Sequence, residues 1–383
     1  MELKLCVTIS RGKLLFRTLL AAAAIVIAAK VAECQGAMVR LPAQAASAEN
    51  GEQPRYRLVH DWELEKIPPG YRVVAGGYYY FILEKLPAGA PEVKYKCVGQ
   101  DGAPTAQFLG QLNLEGAVGY RYVAWRTIGV PDILERQADS PGYEYRVVTA
   151  KAEKMNEAAK DGFRFVGLRF FHKGELNWQK DAIMERPLKG QQTGGTPIAE
   201  VSTGYEVSRT FNKSDRRKNI EKFTAAGYCA VHVYQSPRDI VFEKKKEGSA
   251  PCEYESLEWK EQIPKRKCPW YLSCSPLIAE AESYGRYMEE GLNRLGARGF
   301  HLFGLSVDLG LKPLMERDET TPRHYEYRMV QMGDYDGVSR MILINARASE
   351  EVNQAAQEGF SVVNMASNRW GKYYVVMERS DEP

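Results

Sequence analysis

The chain has 383 residues, of which 44% are apolar, 26% charged and 11% aromatic, and its formal net charge is +3. That composition excludes a disordered chain, which would be poor in apolar and aromatic residues, and the length suits two or three ordinary domains or a string of small units sharing cores. The small charge gives no broad electrostatic basis for nucleic-acid binding, which rests on neutralising phosphates, and basic runs such as Lys244-Lys245-Lys246 are interleaved with acids and read as solvated surface.

At the N-terminus, Lys4, Arg11, Lys13 and Arg17 precede an uncharged apolar run from Thr18 to Ala29. The run falls short of the ~20 residues a membrane-spanning helix needs, which is the pattern of an export signal. Residues 1–48 are expected to be that signal, cut after Ala48 in Ala46-Ser47-Ala48. Lipid attachment at Cys34 is disfavoured because Glu33 stands where a small residue belongs. Cleavage would remove six of the 52 Lys and Arg and two of the 49 Asp and Glu, leaving a net charge near −1. The mature chain is expected to be periplasmic or secreted, with no transmembrane segment.

Downstream, a Gly-aromatic pair recurs at Gly70-Tyr71, Gly119-Tyr120, Gly162-Phe163, Gly227-Tyr228, Gly299-Phe300 and Gly359-Phe360. Each is followed by two apolar residues, Glu and a basic residue: Ile82-Leu83-Glu84-Lys85, Ile133-Leu134-Glu135-Arg136, Ile183-Met184-Glu185-Arg186, Val241-Phe242-Glu243-Lys244, Leu314-Met315-Glu316-Arg317 and Val376-Met377-Glu378-Arg379. Before the Gly lie helix formers with apolar residues at helical spacing, as in residues 153–161 and 351–358. Gly ends such a helix because it enters the left-handed conformation without a Cβ penalty. Upstream again, segments such as Tyr143-Glu144-Tyr145-Arg146-Val147-Val148 alternate like strands. Position four after the Gly breaks the alternation: Val74, Val123, Val166, Val231, Phe303 and Val363 are all apolar, which predicts a strand covered on both faces.

In chain order this predicts six units: 55–86, 94–137 and 143–187, a Gly- and Thr-rich linker at 191–201, then 205–246, 252–318 and 324–380. The first has Pro68-Pro69 in place of a helix and reads as a cap; the fifth carries a cysteine-bearing insertion, and the sixth an extra apolar run, Met341 to Ile344. The fold class is α+β, tandem β-α-β-β units each too small to bury a core alone, so neighbours share cores.

Three stretches carry a resemblance: Tyr143 to Val148 with Asn156 to Val166, Leu292 to Leu302 with Leu314 to Arg317, and Tyr325 to Val330 with Asn353 to Val363. They resemble a small bacterial domain family of unknown function with the pattern YxYKVV…LNxLGxxGWELV…FKR, although Tyr or Phe replaces the Trp here. The resemblance implies a small α+β fold and transfers no catalytic residue.

The recurring Asn113, Asn156, Asn293 and Asn353 are read as bonding backbone, with Glu221 at that position in the fourth unit. The terminal Glu-basic pairs are read as exposed cross-strand ion pairs. His60, His172, His232, His301 and His324 lack metal-ligand spacing, and no GxSxG, GxxxxGK[ST] or GxGxxG pattern occurs; no catalytic residue, cofactor or metal is expected. Tyr78, Tyr79, Tyr80, Trp270 and Tyr271 are the candidate exposed binding surface. In an oxidising compartment one disulfide is expected among Cys252, Cys268 and Cys274. The functional expectation is a non-enzymatic envelope protein that binds a protein or polymer through repeated sheet surfaces, with an uncharacterised hydrolase or a structural assembly element as the alternatives.

Overall fold

The Gly-aromatic segments each open a strand of a small antiparallel sheet, and the computed structural model has six such sheets among its described residues. It describes residues 54–60, 67–77, 80–99, 104–123, 132–172, 178–188, 204–209, 213–233, 239–257, 277–304, 313–317, 323–336, 341–344, 347–367 and 372–381. The expected signal and the 191–201 linker lie outside these, as do residues 61–66, where the first unit was expected to lack a helix.

Sheet one contains β1 (Tyr56–His60), β2 (Tyr71–Gly77) and β3 (Tyr80–Lys85). Sheet two has β4 (Val93–Val98), helix α1 (Thr105–Ala117), β5 (Arg121–Val123) and β6 (Asp132–Gln137). Sheet three has β7 (Tyr143–Thr149), α2 (Ala152–Lys160), β8 (Arg164–His172) and β9 (Trp178–Pro187). Sheet four has β10 (Tyr205–Arg209), α3 (Lys213–Ala225), β11 (Tyr228–Val233) and β12 (Asp239–Lys244). Sheet five has β13 (Glu253–Ser256), α4 (Leu277–Gly296), β14 (Phe300–Gly304) and β15 (Leu314–Arg317). Sheet six has β16 (Tyr325–Asp336), β17 (Met341–Ile344), α5 (Ala348–Gln357), β18 (Ser361–Ser367) and β19 (Lys372–Ser380). In every sheet the last strand in sequence lies between the other two and antiparallel to both; β17, the extra apolar run, adds to the outer side of β16.

The helices follow from their spacing. Met155, Ala158 and Ala159 of α2, and Val352, Ala355 and Ala356 of α5, are buried at i, i+3 and i+4. Gly162 then takes φ +85° and its N–H donates to Ala159 O at 2.9 Å, while Phe163 N–H donates to Ala158 O at 3.2 Å. The same left-handed turn recurs at Gly70, Gly119, Gly227, Gly299 and Gly359.

The apolar fourth position has a local cause. In five sheets the register slips there, between Val73 and Ala75, Phe165 and Gly167, Ala230 and His232, Leu302 and Gly304, and Val362 and Asn364. Val74, Val166, Val231, Phe303 and Val363 are therefore bulge residues, and the bulge reverses the face that the strand presents.

The central strands show what the paired apolar residues do. Ile133 joins the core shared with sheet one, and Leu134 the core shared with sheet three. Ile183 and Met184 divide in the same way between the cores on either side of sheet three, and so do Val241 and Phe242, Leu314 and Met315, Val376 and Met377, and Ile82 and Leu83 in their own sheets. Successive residues on a strand point to opposite faces, so adjacent apolar residues feed two different cores.

The cores thereby form a closed cycle. Val352, Ala355, Phe360 and Met377 of the last sheet pack with Tyr56, Tyr80 and Ile82 of the first, within one compact unit, Pro54–Pro383. The first sheet, read from the sequence as a cap, is covered on both faces, by the second and sixth sheets.

Two glycines separate backbone conformation from packing. A Cβ at Gly162 or at Gly110, in the middle of α1, would meet nothing within 4 Å, but only Gly162 has positive φ. Gly162→Ala is expected to destabilise the protein by about 1–2 kcal/mol and Gly110→Ala to stabilise it by about 0.5–1 kcal/mol, read as opposite shifts in urea midpoint.

Candidate functional site

The polar residues that recur in the sequence meet at the boundaries between sheets. The tyrosine near the start of each first strand turns its hydroxyl toward the preceding sheet, where it meets the backbone three residues after the Gly. Val73 N–H donates to Tyr95 Oη at 2.8 Å, Tyr122 N–H to Tyr145 at 2.9 Å, Phe165 N–H to Tyr205 at 3.0 Å and Ala230 N–H to Tyr254 at 2.8 Å. Across the closing boundary Val362 N–H donates to Tyr56 Oη at 3.2 Å. The hydroxyl proton goes to the Glu of the tyrosine's own central strand: Tyr56 to Glu84 at 3.1 Å, Tyr205 to Glu243 at 3.0 Å, Tyr254 to Glu316 at 3.0 Å and Tyr327 to Glu378 at 2.5 Å. At the fifth boundary Leu302 N–H reaches the Glu378 carboxylate itself, at 3.3 Å.

The asparagines make a second link at four boundaries. Tyr145 N–H donates to Asn113 Oδ1 at 2.7 Å and Asn113 Nδ2 donates to Tyr145 O at 3.2 Å. Asn156 grips Tyr205 in the same way at 2.6 and 3.1 Å, Asn293 grips Tyr327 at 2.7 and 3.0 Å, and Asn353 grips Tyr56 at 2.9 and 3.0 Å. These asparagines bond backbone, as their recurrence suggested, but it is the backbone of the next sheet's first strand. A primary amide fits because it matches one N–H and one C=O at once.

The glutamates are not simple exposed ion-pair partners. Glu185 is fully buried and accepts from Arg121 of sheet two at 2.8 Å and from Arg164 of its own sheet at 3.0 Å. Burial alone would raise the Glu84 pKa, but hydrogen bonds from Arg72, Arg55 and Tyr56 outweigh it and hold the carboxyl below its ordinary value. Glu135 is raised, because burial exceeds the pull of Arg121 and Arg72. Burial, and then the neighbouring carboxylate, push the Tyr145, Tyr254 and Tyr327 hydroxyls up, so they stay protonated as donors. In the second to sixth sheets the basic residue after the Glu caps the Gly-aromatic ring: Arg186 lies 4.4 Å from the Phe163 centroid, Lys244 5.8 Å from Tyr228, Arg317 5.3 Å from Phe300 and Arg379 4.7 Å from Phe360, with Arg136 5.9 Å from Tyr120.

The boundary between sheets four and five differs. Glu221 stands where the asparagine belongs and pairs with Arg217 on the exposed side of α3 at 2.8 Å. A disulfide joins Cys229, two residues after the Gly, to Cys252, just before β13. The bridge was expected among Cys252, Cys268 and Cys274, and Cys252 is bonded instead to Cys229, outside that set: close spacing in sequence mattered less for it than the register that brings β11 beside the start of sheet five. Cys268 and Cys274 lie outside the described residues.

Of the candidate aromatic surface, Tyr80 is buried in the core between sheets six and one, because its strand is central and both faces of that strand are covered. Tyr78, Tyr79, Trp270 and Tyr271 lie outside the described residues. His301 Nε2 and Glu316 Oε2 are 4.0 Å apart, too far for a hydrogen bond, and Glu316 already accepts from Tyr254. His232 lies at a different boundary, edge-on to Phe165 at 5.6 Å, where desolvation lowers its pKa to about 4.

A buried ionic cluster between sheets two and three gave no sequence signal. Arg169 is nearly inaccessible, stacks 4.1 Å from the Phe108 ring centroid, lies 3.8 Å from Asp132 and stands opposite Asp181 across the β8–β9 ladder. Tyr122 donates to Asp132 at 2.8 Å and Thr105 to Asp181 at 3.1 Å. Arg169 occurs within an apolar strand, and only coordinates reveal its partners. Among the described residues no group of three or more His, Cys, Asp or Glu is placed to hold a metal ion, and no helix is long and apolar enough to cross a membrane.

Removing one asparagine leaves a backbone N–H and C=O of the neighbouring strand without their partner, so Asn156→Ala is expected to cost about 1–3 kcal/mol, read as a lower urea midpoint. His232 predicts a pH effect. Its folded pKa of about 4 lies below the ordinary 6.5, so the unfolded chain takes the proton first and stability falls as pH drops from 6.5 towards 4. His232→Phe should show a smaller acid loss over that window in urea melts at pH 7, 5.5 and 4. No family model, curated protein or solved structure matches the chain, and a functional reading rests on the geometry.

Proposed function

We propose that the chain is an exported, non-enzymatic envelope protein, built from six degenerate copies of the strand-helix-strand-strand unit implied by the family resemblance, and that it binds a protein or polymer partner. The observation that carries this reading is the use made of the recurring polar residues. Tyrosine, asparagine and glutamate in successive copies bond one copy to the next, as scaffold residues do, and the tyrosine hydroxyls are held protonated between an amide and a carboxylate.

The same observation relocates the expected contact surface. Both faces of the central strands feed cores, so a partner is met on the outward sides of the helices and on the strand connections rather than on the sheet faces. Leu114 on the outside of α1 and Val118 just past its C-terminal end, 70% and 53% exposed, belong to such a side.

A photo-crosslinking residue at position 114, in cells with an intact envelope, is expected to capture one discrete envelope component, and the same residue at buried position 112 none. The hydrolase alternative predicts turnover of generic ester, glycoside or peptide substrates by purified protein, abolished by changing His232, His301 or Glu316. That result would overturn the binding reading.

A further inference from the structure

We propose that the Cys229–Cys252 disulfide is a redox-sensitive clasp, whose reduction by a dithiol lets the cycle of sheets open between the fourth and fifth.

The asparagine links divide the cycle unevenly. They join sheet two to three, three to four, five to six and six to one. Among the described residues no such amide joins sheet one to two or sheet four to five. The chain thus falls into two arcs, sheets two to four and sheets five, six and one, which meet at two seams. This grouping differs from the three-plus-three division suggested by the 191–201 linker, because Asn156 and Tyr205 bond firmly across that boundary.

Among the described residues the hydrogen bond across the fourth–fifth seam is that of Ala230 N–H to Tyr254, and Glu221 faces solvent with Arg217. The disulfide stands at this seam in place of the amide. Tyr254 keeps the register of the linked tyrosines, lying opposite Glu316 as Tyr145 lies opposite Glu185, so its outward N–H and C=O stand where an asparagine at position 221 would reach them. Both cysteines are buried, but residues 244–251, which lead into Cys252, are exposed throughout, and a reductant approaches from that side.

The exchange balances with a dithiol as the electron source. One of its thiolates attacks Cys252 Sγ, breaking the protein disulfide and releasing Cys229 as a thiolate. Its second thiolate then displaces Cys252 from the mixed disulfide. The reductant leaves as a disulfide, having given up two electrons, and the two cysteines take up the two protons that it released. Opening the seam uncovers Phe242, Leu314, Phe303 and Tyr254 of the shared core.

Hydrogen exchange on the full chain, before and after dithiothreitol, tests this. Reduction is expected to speed exchange at Ala230 and in β13 about tenfold or more, while Tyr145, Tyr205, Tyr327 and Tyr56, held by asparagine, keep their protection. Glu221→Asn should restore most of the lost protection in reduced protein. A Cys229→Ser, Cys252→Ser double variant should behave as reduced protein; if it does not fold, reduction of the folded chain gives the same reading. Unchanged exchange at Ala230, equal acceleration at the amide-linked boundaries, or no rescue by Glu221→Asn would each overturn the proposal.

Discussion

A three-stranded sheet with one helix has too little interior to be stable alone, and the chain meets that constraint by making each central strand apolar on both faces. One face of each such strand is packed by the preceding sheet and the other by the following one. Adjacent apolar residues, Ile133 with Leu134 or Val241 with Phe242, therefore belong to different cores. Damage to one central strand reaches two interfaces, and no sheet retains a complete core by itself. A slip of one residue in strand pairing would exchange the two apolar sets.

Hydrophobic contact between sheets lacks direction, and the polar groups supply it. Each first strand lies at a sheet edge, β16 over the part that β17 does not pair, and there outward N–H and C=O groups would otherwise be open to another chain. At four boundaries asparagine occupies both groups of the tyrosine residue, while the tyrosine hydroxyl fixes the angle at which the next sheet arrives. Arginines at position two complete the arrangement, with Arg121 crossing to Glu185 of the next sheet. Amide, phenol and carboxylate together select one orientation among the many that apolar packing alone would accept.

Local features were legible in the sequence because they have local causes. The left-handed glycines, the helices before them, the alternating strands and the added strand at Met341–Ile344 appear as read. The apolar fourth position predicts a strand covered on both faces, but these residues are only partly buried and Val231 is 37% exposed; they mark a bulge, which depends on cross-strand register that spacing does not reveal. Glu185 and Tyr80 looked like surface residues because an acid and an aromatic are usually placed there; burial followed from neighbours distant in sequence. The pairing of Cys229 with Cys252, the cluster around Arg169 and the meeting of the first and last sheets all depend on how units turn relative to one another, a property no single repeat encodes.

That last meeting constrains how the molecule comes into being. Tyr56 finds its amide partner in Asn353, 297 residues later. A chain emerging amino-terminus first, from a ribosome or a translocation channel, must wait for its final sheet with one side of its opening sheet bare. Loop-closure entropy makes such a distant contact slow to form. The interval before closure is when a chaperone would have apolar surface to hold, and when two chains side by side could complete each other instead of themselves.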